Sequence, residues 1–135
     1  MIGTGTGKVT YNEKDGNYTG TITITPNTFV TGKYSLKVKI DKHLRRLMEG
    51  TQTITAGKHN TDLPPVNLVT GDIDNNNALN ILDYNMLLEC YSDLAEAANC
   101  STPGKKQSTD INDDGPVNQI DYNLFLREIA TQPGE

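Results

Sequence analysis

The first seventy residues alternate apolar or β-branched positions with polar ones, which is the period of a strand with one buried face. The pattern predicts five short strands, at residues 8–11, 18–24, 34–40, 52–55 and 66–69. Gly and Asn residues separate them, as in Asp15-Gly16-Asn17, and supply turn chemistry. Short strands at this spacing predict a small antiparallel β-sandwich in which no helix of useful length is needed.

After residue 71 the apolar period becomes that of helices. The apolar positions are Ile81, Leu82, Met86, Leu87 and Cys90 in one helix and Ile120, Leu124, Phe125 and Ile129 in another. Each helix has an apolar face to bury, so we expect the two to pack against each other, antiparallel. A brief connecting helix is predicted at residues 92–99. The fold class is therefore α+β and multidomain, with a β-sandwich over residues 1–70 and an all-α pair of loop-helix motifs over residues 71–135.

Both helices follow copies of one seventeen-residue pattern, at residues 72–88 and 110–126, with seven of seventeen positions identical. Counted from the first aspartate, oxygen donors stand at positions 1, 3, 5, 7, 9 and 12, which is the spacing of an EF-hand calcium loop. The first copy offers Asp72, Asp74, Asn76, the Ala78 carbonyl, Asn80 and Asp83. The second offers Asp110, Asn112, Asp114, the Pro116 carbonyl, Asn118 and Asp121. The sequence predicts two Ca²⁺ sites, and Mg²⁺ fits less well because it prefers fewer protein ligands.

Other loop positions support this interpretation. Position 6 needs a positive φ, which Gly115 adopts freely and Asn77 tolerates. Position 8 holds Leu79 and Val117, whose side chains we expect to point inward while their backbones pair across the loops. The alternative is that Asp/Asn-rich segments are solvated turns, and repetition in register argues against it. No room is left before Asp72 for an entering helix.

Charge is distributed unevenly along the chain. Residues 1–70 carry nine Lys/Arg and five Asp/Glu, whereas residues 71–135 carry three and twelve. The acidic half argues against nucleic acid as a partner. No apolar stretch is long enough for membrane insertion, and the start lacks the features of a signal peptide, so we expect a soluble piece of a longer protein. The basic cluster of the first half can touch acidic polymers, but a solvated strand face is the simpler interpretation; its members are Lys37, Lys39, Lys42, Arg45 and Arg46.

Cys90 and Cys100 lie between the two loops. In a small, Thr- and Asn-rich chain of secreted character, a close pair favours a disulfide, and two half-buried free thiols are the alternative. Two cysteines cannot complete a structural zinc site.

The duplicated loop-helix pattern resembles dockerin modules. Asp at positions 1 and 12, Asn at 9, an aliphatic residue at 8 and Tyr84 or Tyr122 after the last ligand carry the resemblance over about residues 71–132. It implies a calcium-dependent, monomeric module that binds a cohesin-like domain. It also implies an extracellular or cell-surface location, as the C-terminal part of a larger secreted protein.

Loop positions 10, 11, 17 and 18 are where dockerins contact the cohesin partner. Here the partner-facing residues would be Ile81, Leu82, Leu88 and Glu89 in the first copy and Gln119, Ile120, Leu126 and Arg127 in the second. Dockerins commonly carry polar or small residues at positions 10 and 11. The partner surface of this chain would be more apolar and asymmetric, which weakens the expectation of two equivalent binding modes.

The first half resembles the carboxypeptidase-regulatory-like, transthyretin-type β-sandwich modules of secreted bacterial proteins. Four segments carry the likeness: residues 32–39, 43–46, 52–57 and 63–68. Such an X-module-like domain directly ahead of a dockerin would stiffen or extend it.

The sequence thus favours a non-enzymatic assembly module. The alternative is a calcium-stabilised spacer or stalk of a large surface protein, with no cohesin partner. An enzyme is disfavoured because the two histidines, His43 and His59, lie in loops and no nucleophile has a recognisable setting.

Overall fold

The computed structural model describes residues 3–24, 29–61, 63–95, 97–100 and 103–129, and all structural statements concern these residues. The chain forms two compact units, one of residues 1–34 with 51–63 and the other of residues 35–50 with 64–135. Short strands and three α-helices in the described part make the fold mixed α+β.

The first unit consists of two antiparallel strand pairs. Strands β1 (Gly5–Asn12) and β2 (Asn17–Ile24) form a hairpin in register from Gly5↔Ile24 to Asn12↔Asn17. The predicted turn lies at its tip, where Gly16 has φ 65° and its N–H donates to the Asn12 carbonyl over 2.8 Å. Strand β3 (Gly32–Tyr34) pairs with β7 (Gln52–Ile54).

The second unit contains the remaining strands. Strand β4 (Lys37–Val38) pairs with β6 (Arg46–Leu47), and β5 (Lys42–His43) pairs with β8 (Thr70–Asp72). The fully buried Leu44 follows β5, and its N–H donates to the Val69 carbonyl over 2.8 Å. Residues 35–50 are therefore attached to the backbone that enters the first acidic loop.

The helices of the second unit are α1 (Ile81–Cys90), α2 (Pro103–Thr109) and α3 (Gln119–Ile129), with a 3₁₀ turn at Ala98–Cys100. The Cys90–Cys100 disulfide joins the end of α1 to the 3₁₀ turn, and both cysteines are buried. The core around it consists of Ile73, Leu87, Cys90, Cys100, Ile111, Val117 and Phe125. Helices α1 and α3 thus contribute to one core, as their apolar period predicts.

Several predicted elements differ from the observed ones. The predicted strand 34–40 is divided between β3 and β4, residues 66–69 are not a strand, and β5, β6 and β8 were not predicted. The described strands form four separate two-stranded ladders, so the β-sandwich is not confirmed. Period-two patterning indicates which residues can be strands, but their partners depend on long-range contacts.

The connection between the loops also differs. The predicted helix at 92–99 is wrong for residues 92–95, residue 96 lies outside the described part, and only Ala98–Cys100 is helical, as a 3₁₀ turn. Helix α2 was missed because its sequence is polar throughout, although Pro103 suits the first position of a helix. Strand β8 runs into the first loop, so the description of residues 71–135 as all-α is not confirmed either. The boundary after residue 70 stays a prediction.

Candidate metal centre

The first acidic loop is folded around two buried aspartates at its ends. The Asp72 carboxylate accepts the Asn77 N–H, at 3.2 and 3.1 Å from its two oxygens. Asp83 Oδ1 accepts the N–H groups of Ile73 and Asp74 over 2.8 and 3.2 Å, and Asp83 Oδ2 accepts that of Asn80 over 2.9 Å. Asn80 in turn caps helix α1 through the Leu82 N–H, which completes a capping box with Asp83. The N-cap of helix α1 is thus fixed by the carboxylate at position 12 of the loop.

The second loop repeats these hydrogen bonds. Asp110 Oδ2 accepts the Gly115 N–H over 2.8 Å. Asp121 Oδ1 accepts the N–H groups of Ile111 and Asn112 over 2.7 and 3.3 Å, and Asp121 Oδ2 accepts that of Asn118 over 2.9 Å. The duplication seen in the sequence is therefore a duplication of backbone geometry.

Each loop brings three carboxylates together, with oxygens that all lie within 4.8 Å of one another. The clusters are Asp72, Asp74 and Asp83 in the first loop and Asp110, Asp114 and Asp121 in the second. In each, the residues at positions 1 and 12 are buried and the third is exposed. This arrangement of hard oxygen donors can hold a Ca²⁺ ion.

Burial makes these carboxylates costly to ionise when no cation is near. It raises the pKa of Asp83, against the lowering effect of the hydrogen bonds from Asn80, Asp74 and Ile73. Burial likewise raises the pKa of Asp110, opposed mainly by the hydrogen bond from Gly115. A divalent ion would offset this cost, because it favours the charged form.

The side-chain amides of the predicted asparagine ligands are held within the loops by hydrogen bonds. The side-chain Nδ2 of Asn76 donates to Asp74 Oδ2 over 2.7 Å, and Asn112 Nδ2 donates to Asp114 Oδ2 over 2.8 Å. Each of these amide oxygens also accepts a backbone N–H two residues on. At position 9, the Asn80 and Asn118 side-chain oxygens accept the N–H groups of Leu82 and Ile120, and an amide oxygen has a second lone pair with which it could bind a metal. At position 7, the Ala78 carbonyl accepts the Asn80 Nδ2 over 3.3 Å, and Pro116 is exposed at the same position of the second loop.

Positions 6 and 8 test the loop interpretation further. Asn77 and Gly115 have φ values of 69° and 102°, which confirms the positive φ expected at position 6. Val117 is buried and Leu79 packs against the core. The backbone pairing of Leu79 with Val117 was wrong: the Val117 carbonyl accepts the Ser92 N–H over 3.0 Å, and no backbone hydrogen bond joins the two position-8 residues in the described loops. The segment after α1 occupies that place.

Lysines of residues 35–50 contact both loops, and sequence reasoning missed this. Lys39 Nζ lies 2.5 Å from Asp72 Oδ2, with 30% of the lysine side chain exposed. Lys42 Nζ lies 2.6 Å from both the Asp110 carbonyl oxygen and Asp113 Oδ1, with only 11% of its side chain exposed. The solvated-face interpretation is therefore wrong for Lys42, whereas Lys39 is an exposed residue that forms an ion pair with the first loop. The excess of acidic residues in the second half was the one signal that pointed to such a contact.

All eight predicted partner-facing residues are exposed, which includes large apolar side chains such as Leu82 and Ile120. Leu88 and Leu126, at position 17 of the two copies, are each 42% exposed. Glu89 pairs with Lys105 of α2, and Arg127 pairs with Glu128 over 2.7 Å. Ile81, Leu82, Ile120 and Ile129 therefore do not form the buried helix face that their spacing suggested.

Tyrosines that follow the last ligand lie between the helices. The Tyr84 ring lies 6.2 Å from that of Tyr122 and 5.9 Å from that of Phe125, measured between centroids. The hydroxyl contact with Tyr122 is the main reason that the pKa of Tyr84 is raised. These residues link α1 and α3 by packing.

Comparison with known families gives one match. Residues 70–130, just under half of the chain, match the family model of the dockerin type I domain, which confirms the dockerin resemblance for this segment. Dockerin domains bind calcium and are non-catalytic modules that assemble proteins through cohesin domains, typically outside the cell. No significant match was found among curated proteins or solved structures. Among the described residues, no helix has the length and apolar character to cross a membrane.

Proposed function

We propose that the dockerin-like segment binds two Ca²⁺ ions, one in each acidic loop, through the twelve donors that stand at positions 1, 3, 5, 7, 9 and 12. The observation that carries this proposal is the pair of carboxylate clusters with oxygens within 4.8 Å, built by the same hydrogen bonds in both loops. The same geometry in two loops is stronger support for the same kind of bound ion in each loop than a single acidic turn would be.

Calcium would act structurally. The position-12 aspartates cap the backbone at the starts of α1 and α3, so an ion held by the same carboxylates would fix the loops to the helices. Its charge would relieve the repulsion among three carboxylates and the cost of burying two of them. The result would be two helices held firmly enough to present a surface.

The partner we propose for that surface is a cohesin-type domain. The exposed apolar residues of α1 and α3, Leu82 and Leu88 with Ile120 and Leu126, support an interface with an apolar centre. Their flanks differ, with Glu89 in one copy and Arg127 in the other, so one binding orientation should be preferred. The module would itself be monomeric and non-enzymatic, would act in an extracellular or cell-surface protein, and residues 1–70 would serve as an accessory X-module-like domain.

A second candidate function is a calcium-stabilised spacer. The ion pairs of Lys39 and Lys42 with the loops favour it, because they join the residues ahead of the first loop to both loops. A spacer would need calcium for rigidity and no cohesin at all.

Two measurements test these proposals. Isothermal titration should give two Ca²⁺ ions per chain, and a calcium-dependent pull-down against a panel of purified cohesin domains should capture at least one. Leu88→Ser combined with Leu126→Ser should abolish capture, while Leu94→Ser should not, because Leu94 is 99% exposed outside the helices. Two bound ions with no capture by any cohesin would support the spacer instead, and failure to bind calcium would refute both.

A further inference from the structure

Lys42 contacts the two acidic loops at the same position of each. Its backbone N–H donates to Asn75 Oδ1 over 3.1 Å, and its Nζ lies 2.6 Å from Asp113 Oδ1. Asn75 and Asp113 are both position 4 of their loops, and their φ values, 59° and 58°, are nearly identical. One residue thus bridges the duplicated pair from outside the repeat.

The position of Lys42 is closely determined by its surroundings. It pairs with Asp72 in the β5–β8 ladder, at an irregularity in the register, and has φ 66°. The Thr70 hydroxyl donates to its carbonyl over 3.4 Å. A nearly buried ammonium needs partners, and the Asp110 carbonyl supplies a second acceptor at 2.6 Å. A left-handed backbone at a non-glycine residue is costly, which indicates that these contacts together hold Lys42 in place.

These contacts lie among the candidate ligands. Asn75 stands between Asp74 and Asn76, and Asp113 stands between Asn112 and Asp114. An ion that orders one loop would therefore fix one end of the Lys42 bridge and lower the cost of ordering the other loop. The direct route expected from ordinary EF-hand pairs, through the position-8 backbones, is replaced here by the contact of Val117 with Ser92.

We propose that Lys42 is a positioning residue that couples calcium binding at the two loops, and this rests on the proposed calcium function. Coupling means that an ion in the first loop strengthens binding in the second, and the reverse holds by linkage. The Lys42 side chain carries the link to the second loop. Lys42→Met removes that link while it keeps the backbone hydrogen bond to Asn75.

The experiment is a double-mutant cycle read by calcium titration of the full chain. Asp74→Ala disables the first loop at an exposed ligand, which leaves the second loop to be measured alone. In the otherwise wild-type chain, we expect Asp74→Ala to weaken the second site by about fivefold or more, the lower end of typical allosteric coupling. In the Lys42→Met background, we expect the same change to have less than about a twofold effect.

In each background, the affinity of the second site is compared between the chain with Asp74→Ala and the chain without it. Loss of the Lys42 charge affects both chains of the Lys42→Met background equally, so its direct effect on calcium affinity cancels in the comparison. Lys37→Met is the matched control, because Lys37 is an exposed lysine in β4, and it should preserve the wild-type coupling. Lys42→Arg should retain most of the coupling, since it keeps a cationic donor.

A second variant tests the same link in case Lys42→Met does not fold. Asp113→Ala removes the carboxylate that faces Lys42 at a side chain that is 60% exposed and is not a candidate ligand, and it should also reduce the coupling. The inference is overturned if coupling is absent from the wild-type chain. It is equally overturned if coupling is unchanged in Lys42→Met, or in Asp113→Ala should Lys42→Met not fold. A wild-type chain that binds no calcium would instead refute the proposed function itself.

Discussion

Asp121 and Asp114 belong to the same carboxylate cluster, but the structure gives them different roles. The buried Asp121 accepts three backbone N–H groups, whereas the exposed Asp114 carboxylate accepts, among the described residues, only the side-chain amide of Asn112. Replacement of either by alanine removes a candidate calcium ligand. We therefore expect both variants to lose binding at the second loop, and only Asp121→Ala to destabilise the calcium-free protein.

The magnitude follows from the hydrogen bonds. A hydrogen bond to a charged group contributes about 1.5–3 kcal/mol, and a buried donor left unpaired costs about 1–3 kcal/mol. The stability contributions of three hydrogen bonds to one carboxylate do not simply add. The bond from the Asn112 N–H is also long, at 3.3 Å, and contributes less than the other two. We expect Asp121→Ala to lower the free energy of unfolding by about 3–5 kcal/mol. Asp114→Ala should change it by less than about 0.5 kcal/mol, as for an ordinary surface substitution.

The assay is urea unfolding in excess chelator, followed by far-UV circular dichroism, with calcium titration of each variant beside it. Equal stability of the two variants without calcium would refute the reasoning, because the N–H bonds to Asp121 would then contribute nothing. The reasoning would also be refuted if the wild-type protein showed no cooperative unfolding transition in chelator, because the loops would then be ordered by the ion alone.

Two further predictions concern pH and the disulfide. Burial raises the pKa of Asp83 and of Asp110 above the usual 3.8, so calcium affinity should fall as the pH is lowered from neutral through these raised values. In the calcium-free protein, the two groups contribute stability that is present below pH 3.8 and lost as the pH rises through their raised pKa values. Calcium titrations, and thermal melts in chelator, over a pH series from neutral to below 3.8 should show these opposite signs. Reduction of Cys90–Cys100 should lower the free energy of unfolding by about 2–3 kcal/mol from loop entropy, measured by urea unfolding with and without reductant, and an unchanged midpoint would contradict this.

The acidic loops were predictable from sequence because a calcium loop has a fixed spacing of ligands. Six donors around one ion require a set order of residues, and positive φ at position 6 restricts that position to residues such as Asn77 and Gly115. All of that information lies within seventeen consecutive residues. The carboxylate clusters appear where the spacing placed them.

The lysine contacts were not predictable in the same way. Lys39 pairs with a residue 33 positions away, and Lys42 reaches residues 68 and 71 positions away. Alternation of lysines along residues 37–46 is also what a solvated strand face would show. Strands β5 and β8 were missed for the same reason, since they pair with each other across a separation in sequence that no local pattern indicates.

The lysines and a bound ion complement each other in charge. The first cluster holds three carboxylates and contacts one lysine, and the second holds three with Asp113 beside them and also contacts one lysine. Two carboxylates about 5 Å apart repel by about 3 kcal/mol near a protein surface, less where one of them faces water. One ammonium per loop leaves two carboxylates without a counter-charge in the first loop and three in the second, so a divalent cation would balance the first loop and leave one negative charge at the second. Lysine contacts would therefore keep part of the loop structure without calcium, and calcium would complete it.

Two of the residues that contact the acidic loops, Lys39 and Lys42, lie ahead of the segment that matches the dockerin family. The family match starts at residue 70, but the counter-charges of its loops lie in residues 35–50, which belong to the same compact unit. A segment limited to residues 70–130 would keep all twelve candidate donors and lose both Lys39 and Lys42. It would then depend on calcium alone to neutralise each loop. Residues 35–50 thus supply counter-charges to the candidate metal centre, in addition to any role in the accessory segment proposed for residues 1–70.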